Sequence, residues 1–166
     1  MTNYSYKSAQ KGFTIIELVA VCAILSIITL LGVFYLNPTE KLKKERDAKR
    51  ISDIQTIDRA VTEFSLNNKR YPDVENILRK STVLPAGSTA LNNTNKGWIF
   101  ENLSAYTPRL PTDPLNDATY YYSYTHNASG YELNAKLEIL TDEPANDGGD
   151  NLSMYEVGNN LTLISP

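Results

Sequence analysis

Glu17 is the one acid at the mouth of a long apolar run. It lies in Lys11-Gly12-Phe13-Thr14-Ile15-Ile16-Glu17-Leu18, and no further charged residue follows before Glu40. An acidic side chain at mid-bilayer costs roughly 2.5–3.5 kcal/mol on insertion scales, and less near an interface, so Glu17 needs a partner. Cleavage of the Gly12–Phe13 bond would supply one. It leaves an α-ammonium four residues from the carboxylate, where a neighbouring copy's Glu17 gains a cation inside an apolar bundle. Left uncut, the segment is a plain anchor with a single acid in it.

A second constellation has the chemistry of a cation site. Asp142, Glu143, Asn146, Asp147, Asp150 and Asn151 surround Gly148-Gly149, which puts hard oxygen ligands on a flexible loop, as calcium requires. Asp147 and Asp150 are the first choices as ligands, with Asp142 and Asn146 behind them. The spacing is not that of an EF-hand, and a solvated acidic turn uses the same residue types. Catalytic patterns are missing: the sole histidine, His126, falls in a predicted hairpin turn, without a nucleophile elbow, phosphate loop or histidine pair. An enzyme is therefore not expected. Tyr120-Tyr121-Tyr122 and Tyr124 offer rings for stacking on a sugar, base or peptide, but strand alternation puts about half of such rings in a core.

These residues must be positioned by a small set of elements. Residues 18–36 have no polar face, and residues 13–36, as a helix, would reach about 36 Å, enough to cross a bilayer core of about 30 Å. Cys22, the only cysteine, lies inside this run as a small packing residue and excludes an intrachain disulfide. Ala20, Ala23 and Ser26 would allow close helix approach. Asn37-Pro38 interrupts the helix. Beyond it Leu42, Ile51, Ile54, Ile57, Val61 and Phe64 mark an amphipathic continuation over 37–68. Within it, Lys41 to Arg50 read as a solvated face with local charge pairs, the alternative being interfacial anchoring or ion pairing between subunits. Asn67-Asn68-Lys69-Arg70-Tyr71-Pro72 ends the helix.

Short helices are expected around Val74, Ile77 and Leu78 and around Trp98, Ile99, Leu103 and Tyr106, with a polar loop from Ser81 to Asn95. Tyr120 to Thr125, a turn at Asn127-Ala128-Ser129-Gly130 and the alternation of Tyr131, Leu133, Ala135, Leu137 and Ile139 predict a hairpin with one buried face. Leu152 to Val157 adds a third strand. The fold class is α+β, a long amino-terminal helix packed on a small antiparallel sheet.

A secretory signal would place its small-residue cleavage site after the apolar run, whereas Gly12 precedes it here. With Gly12, Phe13 and Glu17 so arranged, the chain resembles the type IV filament superfamily of type IV pilins and type II secretion pseudopilins. The Arg46-Asp47-Ala48-Lys49-Arg50 phrase, the Asn-rich turn into Tyr71-Pro72 and Pro111-Thr112-Asp113-Pro114 resemble the major-type pseudopilin.

The resemblance implies a type IV pilin fold, a prepilin peptidase cut after Gly12, N-methylation of Phe13 and filament docking through Glu17. It also implies calcium in the carboxyl-terminal loop. The segments would be a cleaved leader (1–12), a transmembrane and filament-core helix (13–36), its amphipathic continuation (37–68) and a globular α/β head (69–166). Expected partners are copies of the chain, the peptidase, an assembly platform protein, its ATPase, minor pilins, and lipid before assembly.

Lys7 and Lys11 hold the leader in the cytoplasm and send the head across the membrane, to end in an extracellular or periplasmic filament. Their loss lowers the formal charge from −3 to −5, which argues against nucleic acid as a partner. The alternative function is an unprocessed, membrane-anchored binding protein with an extracytoplasmic domain.

Overall fold

The computed structural model describes residues 12–88 and 92–165, with only the backbone over 33–36. Two compact units divide at Thr39 and Glu40. The first contains α1 (Ile15–Leu36). None of its Ile15–Gly32 window, of mean hydropathy 2.6, is buried within the protein, so its apolar surface is left for lipid or another chain. The hydroxyls of Ser26 and Thr29 are satisfied internally, each donating to a carbonyl one turn back, Cys22 and Leu25, at 2.7 Å. Such internal bonding suits an apolar surrounding. The helix ends at Asn37, whose φ of 31° and ψ of 65° are left-handed. Asparagine tolerates that region better than most residues, and the following proline disfavours a helical conformation there. Pro38 then opens α2 (Pro38–Asn68), at the position where its missing N–H costs nothing.

In the second unit, α2 turns Ile54, Ile57, Ala60, Val61 and Phe64 into the core, while Leu42 stays more than half exposed. Opposite lie Tyr122, Tyr124, Tyr131, Leu133 and Ala135 of the sheet, closed at the side by Trp98, Ile99, Leu103 and Leu110. The sheet has four antiparallel strands in the order β1 (Arg79–Lys80), β2 (Tyr122–Asn127), β3 (Gly130–Ala135), β4 (Tyr155–Gly158). Tyr124 faces Leu133, and Leu133 faces Val157. At the β2–β3 turn, Asn127 Oδ1 accepts the N–H groups of Ser129 and Gly130, the local bonding that favours asparagine in turns. The helix-facing tyrosines bury their rings and keep their hydroxyls bonded. Tyr122 donates to Asp53 at 3.0 Å, Tyr124 to the Pro72 carbonyl at 3.0 Å, and Tyr131 to Asp58.

Several sequence expectations are corrected. No helix forms around Val74, Ile77 and Leu78, which are exposed; Asp73 and Asn76 take left-handed φ values, and the segment turns into β1. Trp98, Ile99 and Leu103 are buried as expected, but from turns, with Trp98 Nε1 donating to the Pro111 carbonyl at 2.8 Å. The segment read as a loop from Ser81 follows directly on β1, and its residues 89–91 lie outside the described ones. His126 sits in β2 rather than in the turn.

The hairpin is covered on both faces: Glu132 and Asn134, on the side away from α2, are 0% exposed. The cover comes from later chain, since the N–H groups of Leu163 and Ile164 donate to Glu132 and that of Asn151 to Glu156.

The charged stretch 41–50 is not wholly a solvated face, because Asp47 and Arg50 are 0% exposed. They extend the core stripe of α2, in the series 47, 50, 54, 57, 61, 64. Arg50 binds Asp113 through Nε (2.6 Å) and Nη2 (3.1 Å), and through Nη1 both Asp47 (2.8 Å) and Glu138 (2.7 Å). Burial works against its charge, and the three carboxylates outweigh that, holding its pKa above the ordinary value. Asp47 also accepts the N–H groups of Glu138, Ile139 and Leu140. Two separate segments, around Asp113 and over 138–140, are thereby tied to α2.

Candidate functional site

At the amino-terminal end, Gly12, Phe13 and Thr14 precede α1 in non-helical backbone. Phe13 is 82% exposed, and beyond the chain neighbours no described residue comes within 4 Å of where a Gly12 Cβ would stand. On its described side the Gly12–Phe13 bond is thus exposed, and Thr14 after it is in extended backbone. Thr14 is the N-cap: its hydroxyl accepts the Glu17 N–H at 3.3 Å, and the Glu17 carboxylate accepts the Thr14 N–H at 3.4 Å. This capping box occupies two otherwise unpaired donors and sets the acid where the helix dipole favours negative charge. Glu17 is therefore fixed one turn from the bond, at the end of a helix whose other described side chains are apolar or, at Ser26 and Thr29, bonded to the helix itself.

In the acidic loop, Asp142 to Asn146 form the short helix α3. Asp147 accepts the Gly149 N–H at 2.8 Å and the Glu156 N–H at 2.7 Å. Asn146 Nδ2 donates to the Asp142 carbonyl at 2.6 Å. Asp147 thus spends both oxygens on loop backbone. Among the described residues no three His, Cys, Asp or Glu side chains converge as metal ligands.

Sequence reading missed what lies beneath this loop. Glu156 is 1% exposed; desolvation, then the neighbouring Glu132, pushes its carboxyl up to about 7. A Cβ on Gly149 would overlap that carboxylate, so only glycine lets the loop close over it. The signal available in sequence was an acid at each of two inner strand positions, but their pairing depends on the β3–β4 register.

The remaining candidates are structural. Tyr122 and Tyr124 are 0% exposed. Arg50 stacks over Tyr120 and Lys80 over Tyr121, each at 4.6 Å, so these rings line packed contacts rather than a free stacking platform. His126 is buried, with Nε2 3.3 Å from the Asp73 carbonyl oxygen.

Residues 37–150 match the family model described as type II secretion system protein G, and residues 7–33 match the prokaryotic N-terminal methylation motif. The type II secretion system core protein G of Klebsiella pneumoniae is 31% identical over 105 residues, covering 63% of this chain and 69% of that protein. The protein of the same name from Pseudomonas aeruginosa is 30% identical over 142 residues, covering 86% and 90%. That of Dickeya chrysanthemi is 27% identical over 157 residues, covering 90% and 89%. No solved structure matches the chain significantly.

Proposed function

This chain belongs to the type II secretion system protein G family, and on that premise we propose that it serves as a major-type pseudopilin, cut between Gly12 and Phe13, methylated on Phe13 and docked through Glu17. It is a structural subunit, matured by a prepilin peptidase and polymerised with copies of itself. Its apolar helix anchors it in a membrane before it joins the filament. The exposed Gly12–Phe13 bond, ahead of a capped apolar helix whose one acid is Glu17, carries the reading of the site.

The physical sequence is short. Among the described residues, Glu17 is met by the hydrogen bonds of its own cap. Cleavage creates an ammonium on Phe13, a stronger partner for the carboxylate of an adjacent subunit in an apolar surrounding. Moving α1 from lipid to a helical filament core exchanges one apolar contact for another, so assembly need not expose that surface to water. Lys7 and Lys11 keep the leader cytoplasmic and place the head outside. The partners beyond the chain itself would be an assembly platform protein, its ATPase and minor subunits.

Intact mass and amino-terminal analysis of the protein from its native membrane fraction tests this. The expected chain starts at N-methylated Phe13; one that still starts at Met1 overturns the reading in favour of an uncut, anchored binding protein. Glu17→Ala is expected to leave cleavage intact and abolish filaments seen by electron microscopy.

A further inference from the structure

Five Asn-x-Ser/Thr triplets lie among the described residues, all in the head: Asn92-Asn93-Thr94, Asn102-Leu103-Ser104, Asn127-Ala128-Ser129, Asn151-Leu152-Ser153 and Asn160-Leu161-Thr162. In every one the hydroxyl of the third residue donates to the asparagine Oδ1, at 2.7–2.9 Å. In the first four the N–H of the third residue donates there too. A turn of this kind does not require these residue types. Asp113 and Asp147 close it on the N–H groups of Leu115 and Gly149, with neither an amide nor a hydroxyl. Yet each described asparagine that closes it has serine or threonine two residues on. Asparagine, then any residue but proline, then a hydroxyl is the acceptor pattern for N-linked glycans on extracytoplasmic protein surfaces.

The five triplets differ in what they offer a transferring enzyme. Asn160 Nδ2 donates to Ser129 Oγ at 2.7 Å, and Asn92, Asn127 and Asn151 are half-buried. Asn102 and Ser104 are both exposed, and the Asn102 amide nitrogen has no partner among the described residues. By contrast Asn68 and Asn116, which begin no triplet, spend theirs on the Phe64 and Ser81 carbonyls. Leu103 is 0% exposed; its packing anchors the triplet while the two polar side chains on either side stay in solvent.

We propose that Asn102 carries an N-linked glycan, transferred from a lipid-pyrophosphate-linked oligosaccharide by an enzyme at the extracytoplasmic face of the membrane. Nδ2 attacks the anomeric carbon. The N–C bond forms as the C–O bond to pyrophosphate breaks, the lipid pyrophosphate leaves with the electron pair, and Nδ2 gives up one of its two protons. The triplet is read before Leu103 packs, and folding then turns the sugar outward. Glu101 pairs with Arg70 at 2.8 Å, and the Tyr106 hydroxyl accepts from Asn68 at 3.1 Å, so the site lies beside the carboxyl-terminal end of α2. A bulky hydrated group there requires this part of the head to face solvent in any assembly. The inference rests on the head lying outside the cytoplasm, and not on cleavage at Gly12 or on filament formation.

Mass spectrometry of tryptic peptides from the protein in its native membrane fraction tests the site. Cleavage after Lys96 and Arg109 separates Asn102 from the other triplets. That peptide is expected to carry a sugar addition, with fragment ions placing it on Asn102. Ser104→Thr is expected to keep the addition. Ser104→Ala and Asn102→Asp are expected to lose it completely with Tm unchanged, because the N–H of residue 104 still closes the turn. Protease added to osmotically stabilised, wall-free cells reports where the head lies. A bare Asn102 on an exported head overturns this inference alone, whereas a head kept in the cytoplasm overturns the topology and the inference with it. An addition that persists in Ser104→Ala shows a different chemistry and overturns it as well.

Discussion

Charge is buried in two regions of the head, and their surroundings differ. Around Arg50, three carboxylates meet two guanidiniums: Arg50 itself and Arg46, which binds Glu138 at 2.6 and 2.7 Å. The carboxylates also accept backbone N–H groups, those of Leu115 and Asn116 at Asp113 among them. Across the sheet, Glu132 and Glu156 have backbone donors and one amide but no cation. The first cluster is complete within the chain, and the second is one positive charge short of it. Full burial alone therefore does not mark a functional site: Arg50 and Glu132 are both 0% exposed. The distinguishing feature is whether every oxygen and charge is answered.

The most direct way to break the comparison is to remove the cation from the complete cluster. Arg50→Met leaves Asp47, Asp113 and Glu138 facing one another, and breaking a buried pair this way costs about 3–5 kcal/mol. A melt of the detergent-solubilised chain followed by circular dichroism is expected to show the head largely destabilised. Replacing one charge in the incomplete cluster should do the reverse. In calcium-free buffer above pH 7, Glu156→Gln removes a repulsion and keeps a group able to bond Asn134, so its Tm is expected to equal or exceed that of the wild type. A loss comparable to that of Arg50→Met would mean the second cluster is already balanced.

Sequence pattern disclosed what is local. The apolar run, the stripe from Ile54 to Phe64 and the β2–β3 hairpin each follow from periodicity or turn chemistry within a few neighbours, and so does the short linear signal at Gly12, Phe13 and Glu17. The two clusters did not follow. Asp47 and Arg50 occupy stripe positions, a usable hint, but charge pairs inside residues 41–50 already gave a sufficient explanation, and the true partners Asp113 and Glu138 lie 63 and 88 residues from Arg50. Glu132 alternates like any solvent-facing strand residue, until residues 147–164 fold over that face. The short helices expected near residues 74 and 98 gave way because Asp73 spends its carboxylate on the Val74 and Phe100 N–H groups and on Arg79, which fixes a turn.

Opposite responses to pH would sharpen the comparison. Arg46 first, then Arg50, holds Glu138 down at about 2 against the opposing effect of desolvation. Its stabilising contribution is therefore fully present above the usual 4.5 and lost as pH falls from there toward 2. The raised Glu156 acts the other way: the folded state keeps a proton that the unfolded chain releases, so stability falls as pH rises from 4.5 to about 7. Melts across this range in EDTA are expected to show both limbs. Arg46→Gln is expected to shrink the acid limb and Glu156→Gln the other.

The smallest effect belongs to a pair that resembles the Arg50 contacts in distance only. Lys49 Nζ lies 2.9 Å from Asp53, but the lysine side chain is 52% exposed, so water competes for the ammonium and salt screens what remains. Asp53 keeps the Tyr122 hydroxyl when the lysine is removed, and no buried charge is stranded. Lys49→Ala is therefore expected to cost less than about 1 kcal/mol, and to cost less still in high salt, whereas the penalty of Arg50→Met should be nearly independent of salt. A salt-insensitive loss at Lys49 as large as that at Arg50 would show that proximity rather than desolvation sets the strength of these pairs, and would remove the physical basis for separating the two buried clusters.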